Sequence, residues 1–94
     1  MNMNKLSKEK IKKVLYKILR DQMFDGDEFD NIIKDKSNDK ISLYNDLGFD
    51  SLDITEIVLL IEYELAGYNI TLTMDIDNDT TIEDIINYIY QNQS

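Results

Sequence analysis

The chain of 94 residues contains no cysteine and no histidine. The first absence removes disulfides, a thiolate nucleophile and thiolate metal ligation. Without histidine as well, a typical zinc site loses its usual ligands. Proline is also absent, and no segment repeats another. Long apolar runs are missing: the longest, from Ile57 to Ile61, is far short of the ~18 residues a membrane span needs. The opening MNMNKLSKEK is polar and lacks the apolar region of a secretory signal, so a cytoplasmic protein is expected. Positive charge is missing from more than half of the chain. All ten Lys and Arg residues precede residue 41, whereas residues 41–94 carry eleven acids. Such a half repels nucleic acid and attracts basic protein surfaces, although charge by itself is better read as solubility alone.

What is present suits one domain over residues 1–94, with an ordinary apolar content of 43% and a modest core. Ile11, Val14, Leu15 and Ile18 recur at helical spacing behind a Ser7 N-cap, with Leu6 and Ile11 as a hydrophobic staple, predicting a first helix over about 7–23. Its lysines read as a solvated face rather than a membrane surface. Residues 24–50 read as a long loop, with a turn at Asp25-Gly26-Asp27 and at most one helical turn around Phe29, Ile32 and Ile33. The second helix is predicted over about 51–66. Its core stripe is Ile54, Ile57, Val58, Ile61 and Leu65; a second stripe mixes Leu52, Thr55, Glu56, Leu59, Glu62 and Tyr63; and Gly67 marks a stop. Residues 68–77 alternate apolar and polar like a strand, yet no partner strand exists. An extended crossing segment with a short helical turn near 74–78 is therefore expected. The last helix, about 81–91, opens with a capping box read as Thr80 and Glu83; Ile82, Ile85, Ile86 and Ile89 face the core, and residues 91–94 are expected to fray. The fold class is all-α: a small bundle of three main helices plus a short third helix or irregular crossing.

The stretch DLGFDSLDITEIVLLIEYEL, residues 46–65, sets Ser51 at the head of the second helix among acids. A serine is a weak nucleophile until a base takes its proton. No histidine is present to do so, carboxylates with pKa about 4 are poor bases at neutral pH, and their field opposes an alkoxide. No Gly-x-Ser-x-Gly elbow exists, so hydrolase chemistry is not expected. Capping is the plainer role, but Asp50 with Asp53 already fits it. A helix N-terminus tolerates phosphate, so Ser51 suits a phosphate ester installed by another enzyme, with the surrounding acids and apolar residues as a docking surface.

Asp46-Leu47-Gly48-Phe49-Asp50-Ser51-Leu52-Asp53 resembles the attachment motif D-L-G-x-D-S-L-D of the acyl carrier protein family. The likeness runs on through Glu56, Ile57, Val58, Glu62 and Glu64, and resumes at Thr80-Thr81-Ile82 and Asn87-Tyr88-Ile89. The resemblance implies an acyl-carrier-like bundle and a non-catalytic carrier that is a substrate of phosphopantetheinyl transferase. Ser51 would be esterified by 4′-phosphopantetheine from coenzyme A, whose thiol carries acyl groups as thioesters between fatty-acid or polyketide-type biosynthetic enzymes. By similarity, Asp50 would help present the serine and its metal to the transferase. Asp53, Glu56 and Glu62 would meet basic docking surfaces on acyl-transfer, ketosynthase-type or adenylating enzymes, with Leu52 and Leu59 in shallow apolar pockets. Ile54, Ile57, Ile61, Ile85 and Ile89 would line an acyl-chain shelter, although ordinary packing predicts the same isoleucines. A monomer is expected, with no nucleic acid, membrane or metal partner.

The sequence departs from the family pattern in the missing proline, the length of residues 66–79 and of 24–44, and Tyr63 at a position often acidic; a specialised carrier fits as readily as a housekeeping one. The rival readings are a peptidyl or aminoacyl carrier, whose usual Gly-Gly-x-Ser is absent, and an acidic helical interaction module without cofactor. Asp75, Asp77 and Asp79 alternate like the start of a calcium loop, but the expected glycine is Thr80 and the glutamate position is Ile86, so an acidic turn is preferred.

Overall fold

The computed structural model describes residues 5–35, 40–68 and 70–93. Among these residues the architecture is all-α, with α1 at Lys8–Ile18, α2 at Gly26–Asp35, α3 at Ser51–Glu64 and α4 at Ile82–Gln91. The only β pairing among the described residues is an isolated antiparallel bridge between Ser42 and Thr81.

Helix α1 starts where its sequence predicts. The Ser7 hydroxyl accepts the Lys10 N–H at 3.1 Å, and buried Leu6 and Ile11 bracket that cap. Ile11, Leu15 and Ile18 are buried, while Lys10, Lys13 and Lys17 are exposed. A wider π turn, Leu19–Met23, continues the helix and closes with the Phe24 N–H donating to the Leu19 carbonyl at 2.9 Å.

The expected loop over 24–50 contains a true helix, α2. Asp25 starts it: its carboxylate accepts the Asp27 N–H at 3.2 Å, and its carbonyl accepts the Phe29 N–H at 3.1 Å. Phe29 is fully buried, with Ile32 and Ile33 half-buried beside it. Burial of one large aromatic gives this short element a tertiary anchor worth about 1.5–3 kcal/mol, which local propensity alone does not supply. Arg20 spans to it through hydrogen bonds of 3.3 and 3.1 Å to the Asp30 carboxylate. That bond, then the Asp30 charge, raises the guanidinium's pKa. Both side chains are exposed, so the pair adds little stability.

Helix α3 ends without help from a left-handed glycine. After Leu65 the chain tightens into a 3-10 turn, Ala66–Tyr68, that includes Gly67. The crossing that follows forms no helix near 74–78, and the alternation is realised as burial instead. Ile70 and Leu72 are buried and Met74 and Ile76 half-buried, while residues 71, 73, 75 and 77 are exposed. One of its backbone groups is held by a side chain in place of a neighbouring strand: the Leu72 N–H donates to Glu62 Oε2 at 2.8 Å.

The capping box of α4 sits one residue later than the sequence suggests. Thr81 accepts the Asp84 N–H at 3.2 Å, and Asp84 accepts the Thr81 N–H at 3.0 Å. Thr80 is instead buried, its hydroxyl donating to Asp77 at 3.2 Å and accepting the Asp77 N–H at 3.0 Å. Helix α1 packs against both α3 and α4, and the buried residues of all elements join in one core. Gln93 donates to the Leu6 carbonyl at 2.9 Å, tying the segment after α4 to the one before α1.

Candidate functional site

Three features of the sequence present Ser51. Gly48 takes a left-handed φ of 70°, and a Cβ there would meet nothing within 4 Å. The glycine is therefore needed for backbone conformation and not for space. Phe49 then turns inward, buried, with its N–H donating to the Leu43 carbonyl at 3.1 Å. Asp50 caps α3 by accepting the Asp53 N–H at 2.9 Å, and Asp53 returns the bond by accepting the Asp50 N–H at 3.1 Å. Ser51 is thus the first residue of the helix, and it is exposed.

The segment before it is held from a second side. The Leu43 N–H donates to the Thr80 carbonyl at 3.2 Å and the Ile82 N–H to the Ile41 carbonyl at 3.0 Å. Buried Ser42 donates its hydroxyl to the Asn78 carbonyl at 2.9 Å and its N–H to the Asp46 carboxylate at 2.7 Å. Asp46, the first residue of the motif, is thereby part of the scaffold beneath Ser51. Neither this tie nor Thr80's part in it has a signal in the sequence.

The capping box settles two of the four N–H groups at the head of α3, and the Ile54 N–H reaches the Asp50 carbonyl at 3.0 Å. The Ser51 and Leu52 N–H groups lie outside both arrangements and face the helix start, where an anionic oxygen is favoured. The Asp50 and Asp53 carboxylates oppose such an anion, so the site suits a covalently held phosphate better than a free one.

The exposed face of α3 carries Leu52 at 78% exposure, Leu59 at 61% and Tyr63 at 78%, with Glu56 and Glu64 exposed alongside. These large apolar side chains, flanked by carboxylates, make one exposed patch. Tyr63 belongs to it as fully as Leu52 does. Its place four residues after Leu59 and eleven after Leu52 is the signal that could have added it. Asp53 is half-buried and engaged in the cap. Glu62 is half-buried, and its Oε2 accepts the N–H of Leu72 in the crossing segment.

Of the proposed acyl lining, Ile57, Ile61, Ile85 and Ile89 are fully buried in the common core and Ile54 is half-buried against it. Three surface hollows lie elsewhere, along α1 and at the joined chain ends, and none is lined by these isoleucines. In this conformation the four buried ones pack as closed core and Ile54 lies at its edge. Asp75, Asp77 and Asp79 form no group able to hold a metal ion among the described residues; Asp77 instead accepts the Asp79 N–H at 2.9 Å within a turn. No helix among the described residues is long and apolar enough to cross a membrane.

The sequence pattern of one family, described as a phosphopantetheine attachment site, matches residues 31–89. The chain belongs to the phosphopantetheine attachment site family. Searches of the curated proteins and of the solved structures returned no match. Carrier domains of this family bear a covalently attached 4′-phosphopantetheine and are generally carriers rather than catalysts. The chain's residues fit that group: within the matched segment, Ser51 offers an exposed hydroxyl at a helix start with two N–H groups left over. No wall of side chains separates it from solvent.

Proposed function

We propose that the chain is an acyl carrier protein with Ser51 as its point of attachment. The observation that carries this reading is the exposure of the Ser51 hydroxyl at the head of α3, inside D-L-G-F-D-S-L-D. When bound, the phosphopantetheine arm supplies the thiol on which acyl groups travel as thioesters. The chain's own residues do the rest. Gly48 and the capping box hold the serine outward, and the Ser51 and Leu52 N–H groups favour the ester's phosphate oxygens. Asp50 assists presentation of the hydroxyl and metal to the visiting transferase, which brings the base that the histidine-free chain lacks.

Leu52, Asp53, Glu56, Leu59 and Glu62 form the partner face, and Tyr63 extends it toward the C-terminal end of α3. Basic surfaces on acyl-transfer, ketosynthase-type or adenylating enzymes of fatty-acid or polyketide assembly are the complement. Rim charges of this kind speed encounter more than they strengthen the complex, which suits a shuttle. Ile54, Ile57, Ile61, Ile85 and Ile89 shelter the acyl chain once the core around them opens, since four of the five are fully buried here. The chain works as one monomeric domain in the cytoplasm. Loading decides between acyl and aminoacyl cargo. The phosphopantetheine-bearing chain, offered in turn to an acyl-adenylating and an aminoacyl-adenylating enzyme, is expected to gain a fatty acyl mass. Loading by the aminoacyl enzyme alone would overturn the acyl assignment.

A further inference from the structure

The family match begins at residue 31, so α1, the π turn and half of α2 lie outside it. Yet three aromatic rings from that unmatched part reach the attachment loop as a continuous series. Tyr16 of α1 meets Phe29 of α2 edge-on at 5.3 Å between ring centroids. Phe29 lies 6.1 Å from Phe24, at the end of the π turn. Phe24 in turn stacks on Phe49 at 5.5 Å and 17° between ring planes. Phe49 is followed only by Asp50 before Ser51. The loop is consequently gripped on two sides: by backbone bonds of residues 41–43 to the start of α4, and by an aromatic stack on the end of α1.

We infer that Phe24 is a positioning residue for modification of Ser51, acting through its stack on Phe49. The inference rests on the carrier reading above. Gly48 has no side chain and open space around it, so it leaves the loop a pivot next to Phe49. The ring on the far side of that pivot works beside the Phe49–Leu43 hydrogen bond, the capping box and the buried Ile57 and Ile61 in fixing the angle at which the head of α3 is offered. An aromatic pair contributes beyond its buried area, in an amount equivalent to a change of about three- to tenfold in an equilibrium. Weakening it lowers the fraction of molecules whose loop is in the competent position. A visiting enzyme then sees an apparent affinity reduced by that fraction, while the step after binding is unchanged.

The test is the steady-state transfer of phosphopantetheine from coenzyme A to the full-length chain by a broad-specificity transferase, followed by intact mass. Phe24→Leu keeps apolar bulk and removes the stacking ring; Phe49→Leu attacks the same contact from the other side, so one folded variant suffices. Either is expected to raise KM for the chain, by at most about three- to tenfold, with kcat unchanged, and Phe24→Tyr to restore the wild-type KM. The double variant should match a single one, because both remove one interaction. Faster amide exchange at Phe49 in Phe24→Leu should accompany the change. A wild-type KM in a folded Phe24→Leu or Phe49→Leu variant, beside a normally modified wild type, overturns the inference alone. An unmodified wild type overturns the carrier reading and the inference with it.

Discussion

Replacing Asp50 separates its cap from its charge. The Asp50 carboxylate accepts the Asp53 N–H at 2.9 Å, and the site is exposed, so water can take over that N–H when the cap is lost. The cost of Asp50→Ala should therefore sit near the middle of the usual range, about 1 kcal/mol. Loss of a negative charge at the helix start adds a few tenths of a kcal/mol. For a domain of this size the sum lowers Tm by about 5–10 °C. Asp50→Asn keeps an oxygen able to accept the same N–H and loses only the charge, so its Tm should stay within about 2–3 °C of wild type. Thermal unfolding followed by far-ultraviolet circular dichroism reads both variants. Equal destabilisation by Ala and Asn would refute the capping argument and leave charge as the whole effect. If Asp50 also presents the transferase's metal, Asn should retain stability while losing modification rate.

Glu62 offers a parallel separation. Glu62→Ala strands the buried Leu72 N–H and should cost about 1–3 kcal/mol by urea denaturation, whereas Glu62→Gln keeps an acceptor and most of the stability. Equal losses would mean that the 2.8 Å contact does not anchor the crossing segment. Gly48→Ala should lose about 1–2 kcal/mol from the left-handed backbone alone, because no atom stands in the way of the new methyl; an unchanged Tm would contradict the conformational role. Leu52→Ala and Leu59→Ala should alter stability by less than about 0.5 kcal/mol while slowing acyl transfer to a partner enzyme, and a normal transfer rate would remove these residues from the partner face.

The elements whose signals are local were legible in the sequence. Ser7 caps α1 and Asp50 caps α3 because cap, spacing and apolar stripe all lie within one turn of one another. The motif around Ser51 is equally local. What escaped depends on contacts between distant segments. Helix α2 is short and polar, and its buried Phe29 has meaning only against Tyr16 and Phe24. Thr80-Thr81-Ile82-Glu83-Asp84 holds two overlapping capping boxes, and pairing of Ser42 with Thr81 selects the later one. The alternation over residues 70–77 reports burial correctly, but the Leu72 N–H goes to the side chain of Glu62 and not to a neighbouring strand. Glu62 itself reads as an outward acid in any helical projection, because its partner arrives ten residues later. The Phe24–Phe49 stack joins residues with no periodic relation, so only the fold brings it to notice.

The central claim is covalent, and intact mass spectrometry reaches it most directly. The full-length chain and Ser51→Ala are incubated side by side with coenzyme A and a broad-specificity phosphopantetheinyl transferase. The wild type should gain the mass of one phosphopantetheine and the variant none. A wild type that stays unmodified, or a Ser51→Ala chain that is modified as fully, would contradict the account.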